Sequence, residues 1–127
     1  MSEDTAQKPL ILIADDNLEM RRLVKMSLSP LDAEFMEARD GEEALTLIIQ
    51  EKPALVVLDV MMPELTGWEI LKYVREKEEY ASTKVVMLTA IGATVNEMTA
   101  PLYGADAHLD KPFDVNELKD IVAGLIA

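Results

Sequence analysis

The sequence predicts an α/β fold in which a doubly wound parallel sheet is covered by helices on both faces. Short, almost continuous apolar runs alternate with segments whose apolar residues recur at helical spacing. Such runs are typical of strands buried on both faces, and right-handed crossovers place the intervening helices on the two sides of the sheet. With 127 residues, half of them apolar, the chain is one domain of ordinary size with a sizeable core. We therefore expect five strands alternating with five helices.

The first strand and helix lie near the N-terminus. The strand is predicted at 10–14, Asn17 is a suitable N-cap for the helix that follows, and Pro30 ends that helix. A shorter and weaker strand is predicted at 33–38. The apolar residues that define the helix are Met20, Leu23, Val24 and Leu28.

A second helix is predicted to begin at Asp40, because Asp40 and Glu43 have the spacing of a capping box. This helix should end near Gln50. Pro53 then introduces the third strand, which is predicted at 54–58 and ends in an acid.

The second half of the chain continues the alternation. A third helix is predicted at 67–77, a strand at 85–88, a fourth helix at 93–103 and a short strand at 107–109. Asp114 is expected to cap the last helix. The apolar residues on its buried face are Leu118, Ile121, Val122 and Leu125.

Composition limits the possible functions and locations of the protein. The net charge of −12 argues against nucleic acid as a direct partner, because phosphate contacts need clustered Lys and Arg. The lack of cysteine excludes disulfides and thiolate chemistry and suits a cytoplasmic protein. No apolar run approaches the ~20 residues of a membrane span. Residues 1–8 are expected to form a short polar tail, and residues 9–127 the domain.

Polar residues follow the predicted strands at their carboxyl ends. Asp15 and Asp16 follow the first strand, Asp59 the third, Thr89 the fourth and Lys111 the fifth. In parallel sheets these ends share one edge, where ligands bind. Three clustered acids raise one another's pKa values unless a cation lies among them. The pattern predicts a divalent cation site beside a carboxylate that receives a phosphoryl group. Each of these residues taken alone also has an ordinary interpretation, as a helix cap, a loop hydroxyl or a surface lysine.

Taken together, these motifs resemble the response regulator receiver domain of two-component signalling. The matching elements, in order, are Asp15-Asp16, Asp59 followed by Met62-Pro63 and Gly67, Thr89-Ala90, and Lys111-Pro112. The resemblance covers the chain from about Lys8 onward. It implies a flavodoxin-like fold with strand order 2-1-3-4-5.

The resemblance also implies an acceptor and a metal site. Asp59 is similar to the phospho-accepting aspartate of the family. Asp15, Asp16 and Asp59, with the backbone carbonyl of Met61, correspond to the ligands of Mg²⁺ (or Mn²⁺), a cation that keeps several waters and so needs few protein ligands.

The other site residues would act on the phosphoryl group. Thr89 resembles the switch hydroxyl that bonds it, and Lys111 the ammonium that pairs with the acceptor carboxylate and then with phosphoryl oxygens. The family has a cis bond before Pro112. Backbone N–H groups of Val60 and Ala90 are predicted to be further donors to the phosphoryl group.

Three positions depart from the family pattern. His108 occupies the place of an aromatic switch residue, so it either replaces the rotating ring or is an ordinary packed or half-exposed side chain. Met61 and Ile91 are apolar where family members often carry polar side chains that affect how water reaches the acyl phosphate. Pro101 lies inside the predicted fourth helix, where proline costs ~3 kcal/mol.

The favoured function is a phospho-accepting switch, enzymatic only in assisting its own phosphorylation and dephosphorylation. The implied partners are a sensor histidine kinase or a histidine phosphotransfer protein, and a downstream protein on the face made by the fourth helix, fifth strand and fifth helix. A monomer or weak dimer without membrane contact is expected.

Arg21, Arg22 and Lys25 are either a kinase-docking patch or a solvated basic face. The alternatives are a receiver-like interaction module that works without phosphorylation and an unrelated hydrolase of the aspartyl-phosphate type.

Overall fold

A computed structural model describes residues 8–89 and 104–127 of the chain. Its sheet has five parallel strands in the order β2-β1-β3-β4-β5. This confirms the predicted fold class and the strand order 2-1-3-4-5. The strands are β1 (Leu10–Ala14), β2 (Glu34–Ala38), β3 (Leu55–Asp59), β4 (Lys84–Thr89) and β5 (Ala107–Asp110).

Among the described residues, three helices connect successive strands by crossovers, and a fourth follows the last strand. They are α1 (Leu18–Leu28), α2 (Gly41–Glu51), α3 (Gly67–Glu76) and a C-terminal helix (Val115–Ile126), and a short 3-10 turn (Glu78–Tyr80) follows α3. The fourth helix predicted at 93–103, with Pro101, lies outside the described residues. Within the described parts of the chain, no helix is both long and apolar enough to cross a membrane.

The apolar residues form one cluster on each face of the sheet. On one face, the C-terminal helix and α1 pack together over β1, β3 and β4, with Val24, Leu28, Leu118 and Val122 fully buried. On the other face, α2 and α3 contribute Ala44, Ile48, Ile70, Leu71 and Val74. Successive residues of each strand point to opposite faces, so the central strands are apolar throughout because both faces are covered.

Side-chain caps begin the helices. Asn17, Asp40 and Asp114 accept backbone N–H bonds as predicted. The capping box predicted at Asp40 is only half formed, because the Glu43 carboxylate accepts from the Arg39 N–H instead. A complete box, which the sequence analysis missed, begins α3, where the Thr66 hydroxyl accepts from the Glu69 N–H and the Glu69 carboxylate accepts from the Thr66 N–H. These caps set where each helix leaves the edge of the sheet that carries the acids.

Candidate functional site

Three acids meet at the carboxyl edge of the sheet. Asp59 is the last residue of β3, and Asp15 and Asp16 follow the adjacent strand β1. One oxygen from each of the three carboxylates lies within 4.8 Å of the others. Asp15 is 2% exposed and Asp59 is 3% exposed, whereas Asp16 faces solvent. The cluster therefore has a buried floor and one open side.

Lys111 brings a positive charge into this cluster. Its ammonium lies 3.0 Å from Asp15 Oδ2 and 3.1 Å from Asp59 Oδ1. The peptide bond between Lys111 and Pro112 is cis, as the sequence analysis expected. One ammonium thus bridges the two buried carboxylates, which leaves the set of four side chains with an excess of negative charge.

This arrangement shifts the pKa values of both partners. The pKa of Asp59 is raised to about 6, chiefly by burial and further by the charge of Asp15, while Lys111 and the Met61 N–H act in the opposite direction. Burial lowers the pKa of Lys111, but the hydrogen bond to Asp15 and the charges of Asp59 and Asp15 outweigh it, so this pKa lies above its usual value. With a pKa of about 6, the Asp59 carboxyl is mostly ionised at neutral pH, although its charge is only partly compensated.

Backbone contacts orient the two buried acids. The Asn17 N–H donates to Asp15 Oδ1 at 2.9 Å, and the Met61 N–H lies 3.3 Å from Asp59 Oδ1. The loop after β3 passes directly over the strand end, because the Gly67 N–H donates to the Val60 carbonyl. A Cβ at Gly67 would collide with the Asp59 carbonyl oxygen. Glycine is therefore required there by the close approach of α3 to the backbone of Asp59.

The structure corrects one predicted backbone donor. The Val60 N–H donates to the Leu88 carbonyl at 3.0 Å, because the pairing of β3 with β4 continues one residue beyond Asp59. It is therefore unavailable to a group on Asp59. The next N–H along the chain, that of Met61, is the one that reaches the carboxylate. The other predicted donor, Ala90, lies outside the described residues, as does Ile91.

Thr89 ends β4 at the same edge as the acids, but its hydroxyl is hydrogen-bonded to Asp110 on the neighbouring strand. It is fully buried, and its hydroxyl donates to Asp110 Oδ1 at 2.6 Å. Its carbonyl accepts the Lys111 N–H, also at 2.6 Å. Asp110 was not among the residues predicted from the sequence. Its only signal was its position directly before the Lys111-Pro112 motif, and recognising the contact requires the register of β5 on β4.

His108 and Met61 are both on the surface. His108 is an exposed residue of β5, which agrees with the ordinary interpretation of a half-exposed side chain and leaves its switch role a prediction. Met61 is 59% exposed, so its side chain projects into solvent two residues after Asp59.

The basic residues of α1 do not form one uniform patch. The Arg21 side chain is only 12% exposed, and it donates to the Glu37 carboxylate at 2.9 Å and to the Asp15 carbonyl at 2.7 Å. Arg22 and Lys25 are exposed. Arg21 therefore supports the backbone of the acid pair, which was not foreseen from the sequence. Lys25 lies 3.7 Å from the same Glu37 carboxylate but its side chain is exposed, so Arg22 and Lys25 keep the predicted docking role as a prediction.

Fold and site together define the class of protein. A family model for the response regulator receiver domain matches residues 11–123, and the chain belongs to this family. Receiver domains bind Mg²⁺ at an acidic pocket, and Asp15, Asp16 and Asp59 provide the hard oxygen ligands that this cation prefers.

Curated relatives and solved structures agree with this membership. The chain is 40% identical over 119 residues to the probable transcriptional regulator ycf27 of Cyanophora paradoxa, covering 94% of this chain and 48% of the relative. It is 36% identical over 118 residues to the DNA-binding dual master transcriptional regulator RpaA of Synechocystis sp., covering 93% and 49%.

Among solved structures, a putative response regulator from Chloroflexus aurantiacus superimposes with a TM-score of 0.85 at 29% identity, covering 94% of this chain and 98% of that one. The chemotaxis response regulator CheY4 of Vibrio cholerae gives a TM-score of 0.82 at 29% identity, covering 94% and 99%.

The chain spans about half the length of the curated relatives it matches. Those relatives are named as transcriptional regulators, one of them as DNA-binding. They give no support to the expectation that nucleic acid is excluded as a partner. The charge argument applies to this acidic domain alone.

Proposed function

We propose that Asp59 accepts a phosphoryl group from a phosphohistidine on a sensor histidine kinase or histidine phosphotransfer protein. The observation that carries the proposal is the Lys111 ammonium held within 3.1 Å of both Asp15 and Asp59, in a cluster that retains an excess of negative charge. A purely structural lysine and aspartate pair would need no further acids, since like charges at this distance are unfavourable.

The transfer follows from the positions of these groups. An Asp59 carboxylate oxygen attacks phosphorus and forms an O–P bond, while the N–P bond breaks and the departing imidazole nitrogen keeps the electron pair. Attack by one anion on another is opposed by repulsion. Lys111 lies where it offsets this repulsion, and the Met61 N–H faces the same carboxylate oxygen.

The acid cluster fits a divalent cation. Asp15, Asp16 and Asp59, with the backbone carbonyl of Met61 as predicted, would hold Mg²⁺ or Mn²⁺. When bound, the cation supplies positive charge that stabilises the oxygens of the transferring group. Asp16 lies on the solvent side of the cluster, which suits a ligand that meets a cation still carrying waters.

Thr89 would report phosphorylation to the rest of the domain. It lies at the same sheet edge as Asp59, and its hydroxyl is the group proposed to bond the phosphoryl oxygens. The proposed output face is made by the predicted helix 93–103, β5 and the C-terminal helix. His108 lies on that face and would influence how strongly it responds.

The domain, proposed to comprise residues 9–127, would be cytoplasmic and act as a signalling module. It would assist only its own phosphorylation and dephosphorylation. Because the relatives are named as transcriptional regulators, the output we propose is regulation of transcription through a DNA-binding partner or domain. The rival function, an interaction module that works without phosphorylation, has no specific observation in its favour among the described residues.

Phosphorylation by acetyl phosphate in the presence of Mg²⁺ tests the proposal. Intact-mass analysis should show one phosphate on the wild-type protein and none on Asp59→Asn. The control Asp120→Asn removes a carboxylate from the exposed side of the C-terminal helix and should be phosphorylated normally. Acid-labile phosphate on Asp59→Asn at the wild-type level would place the acceptor elsewhere.

A further inference from the structure

The hydroxyl of Thr89 is already engaged by an acid that belongs to neither the cation site nor the acceptor. Thr89 and Asp110 are partners in the register of β4 and β5, and the hydroxyl donates to Asp110 Oδ1 at 2.6 Å. Thr89 is fully buried, whereas Asp110 is exposed. The bond therefore points the threonine side chain toward the edge strand.

A threonine hydroxyl has a single proton to donate. The proton given to Asp110 cannot also be given to a phosphoryl oxygen on Asp59. The two bonds are therefore mutually exclusive, and phosphorylation must compete with a short hydrogen bond to a charged acceptor, which is one of the stronger kinds in proteins.

The backbone reinforces this contact. The Lys111 N–H donates to the Thr89 carbonyl at 2.6 Å, so consecutive residues of the edge segment hold Thr89 by its carbonyl and by its hydroxyl. The Lys111 ammonium in turn contacts Asp59 at 3.1 Å. The same short segment thus contacts both the acceptor and the switch hydroxyl.

We propose that Asp110 is a latch that holds Thr89 in its resting position and raises the threshold for switching. Asp110 is a positioning residue, because it acts through the Thr89 hydroxyl and does not contact Asp59. Its solvent exposure favours this role, since the carboxylate can be hydrated once the threonine leaves. The inference rests on the proposed function of Asp59 and adds a residue that opposes the active state.

The test measures the dissociation constant of beryllium fluoride, a phosphoryl mimic, in the presence of Mg²⁺. Asp110→Ala should bind the mimic about tenfold more tightly than wild type, which corresponds to about 1.4 kcal/mol. Asp110→Asn should lie between the two, because its amide oxygen still accepts a hydrogen bond but carries no charge. The control Asp120→Asn, which removes the same charge from an exposed position on the C-terminal helix, should leave the constant within about twofold, since salt screens exposed charges.

The Thr89→Val background separates a latch from simple charge repulsion of the anionic mimic. Valine keeps the shape of threonine without the hydroxyl. If Asp110 acts through that hydroxyl, Asp110→Ala should change affinity by less than about twofold in this background. NMR shifts of the Thr89 methyl group in the free wild-type and Asp110→Ala proteins give a second readout that does not depend on binding.

The outcomes distinguish the two proposals. An unchanged affinity in Asp110→Ala, or a full gain that persists in the Thr89→Val background, overturns the latch while Asp59 remains the acceptor. Failure of the wild-type protein and every variant to bind the mimic overturns the proposed function and, with it, the latch.

Discussion

The surroundings of Asp59 disfavour the ionised form of its carboxyl group. Burial and the charge of Asp15 raise its pKa from 3.8 to about 6, despite the contact with Lys111. A group whose pKa is higher in the folded protein destabilises the fold above its unfolded pKa, and this penalty is complete above the folded pKa. The ionised Asp59 carboxylate therefore lowers the free energy of unfolding at neutral pH.

Replacing Asp59 with Asn should stabilise the metal-free protein in a pH-dependent manner. At pH 7 the gain is at most about 3 kcal/mol, from roughly two pKa units at 1.36 kcal/mol each. The gain should shrink as the pH falls from 6 to 4, because the wild-type carboxyl becomes protonated. Urea unfolding in the presence of a chelator measures it, with Asp120→Asn as a control for net charge. A gain that is constant from pH 4 to pH 7 would contradict this explanation.

Met61 presents an apolar side chain beside the acceptor, where it cannot orient a water molecule. We expect Met61→Asn, alone and together with Ile91→Asn, to shorten the lifetime of the phosphorylated protein. The measurement is loss of phosphate after acetyl phosphate is removed. Met26→Asn is a matched control, because Met26 is an exposed methionine of α1, 64% exposed against 59% for Met61. Equal or slower dephosphorylation in the double variant would show that these side chains do not limit the access of water.

At the scale of single elements, α3 begins against the end of β3, the strand that carries Asp59. Gly67 is the first residue of the helix, and its N–H bonds the carbonyl of Val60. The Thr66–Glu69 capping box holds the start of the helix at this point. A side chain at position 67 would therefore force the backbone of Asp59 and the start of α3 apart, although Gly67 itself takes no part in the proposed reaction.

We predict that Gly67→Ala destabilises the protein by about 1–3 kcal/mol, the usual cost of overpacking. The added Cβ meets backbone at Asp59 and Val60, which cannot move aside as a flexible side chain would. Gly124→Ala is the control, because a Cβ there has no neighbour within 4 Å. Because alanine is a better helix former than glycine, Gly124→Ala should raise the free energy of unfolding by up to about 1 kcal/mol. Thermal unfolding compares the two, and equal melting temperatures would contradict the close contact at Gly67.

The elements also show how far the sequence predicts the site. Apolar runs end where hydrogen-bonded strands end, so Asp15, Asp59 and Thr89 were correctly expected at one edge. The contacts that depend on strand register were not predictable. The N–H of Val60 was expected to be free and is paired with Leu88, and Asp110 was overlooked because only the pairing of β4 with β5 places it opposite Thr89.

The contacts of long side chains were also not predictable from the sequence. Arg21 was grouped with its basic neighbours by sequence, but its reach to Glu37 and to the Asp15 carbonyl depends on how α1 lies over β1 and β2. Helix starts were easier to predict, because a cap is a local interaction between neighbouring residues. One detail of the second helix start was still not predicted, because the Glu43 carboxylate accepts from the Arg39 N–H and not from that of Asp40.

At the scale of the whole molecule, we expect the acid cluster to couple cation binding to stability. Mg²⁺ should raise the melting temperature by mass action, because the unfolded chain does not bring the three acids together. Asp16→Asn should raise the melting temperature slightly without metal, since one like charge is removed, and should weaken the Mg²⁺ response. A titration of melting temperature against Mg²⁺ tests this, with Asp120→Asn as the control. A response in Asp16→Asn equal to that of wild type would remove Asp16 from the set of ligands.

The order of the strands places the carboxylates of the site at interior strands and the lysine and Asp110 at an edge strand of the described sheet. Asp59 ends β3 and Asp15 follows β1, and both strands have a neighbour on each side. Asp110 ends β5 and Lys111 follows it, and in the described part of the chain β5 is paired only with β4. Amides of interior strands exchange with solvent only in large openings, while edge strands open locally at much lower free energy. We therefore expect local opening of β5 to separate Lys111 and Asp110 from the site while Asp15 and Asp59 keep their positions. Amide exchange that is faster in β5 than in β1 and β3 would report this order of opening.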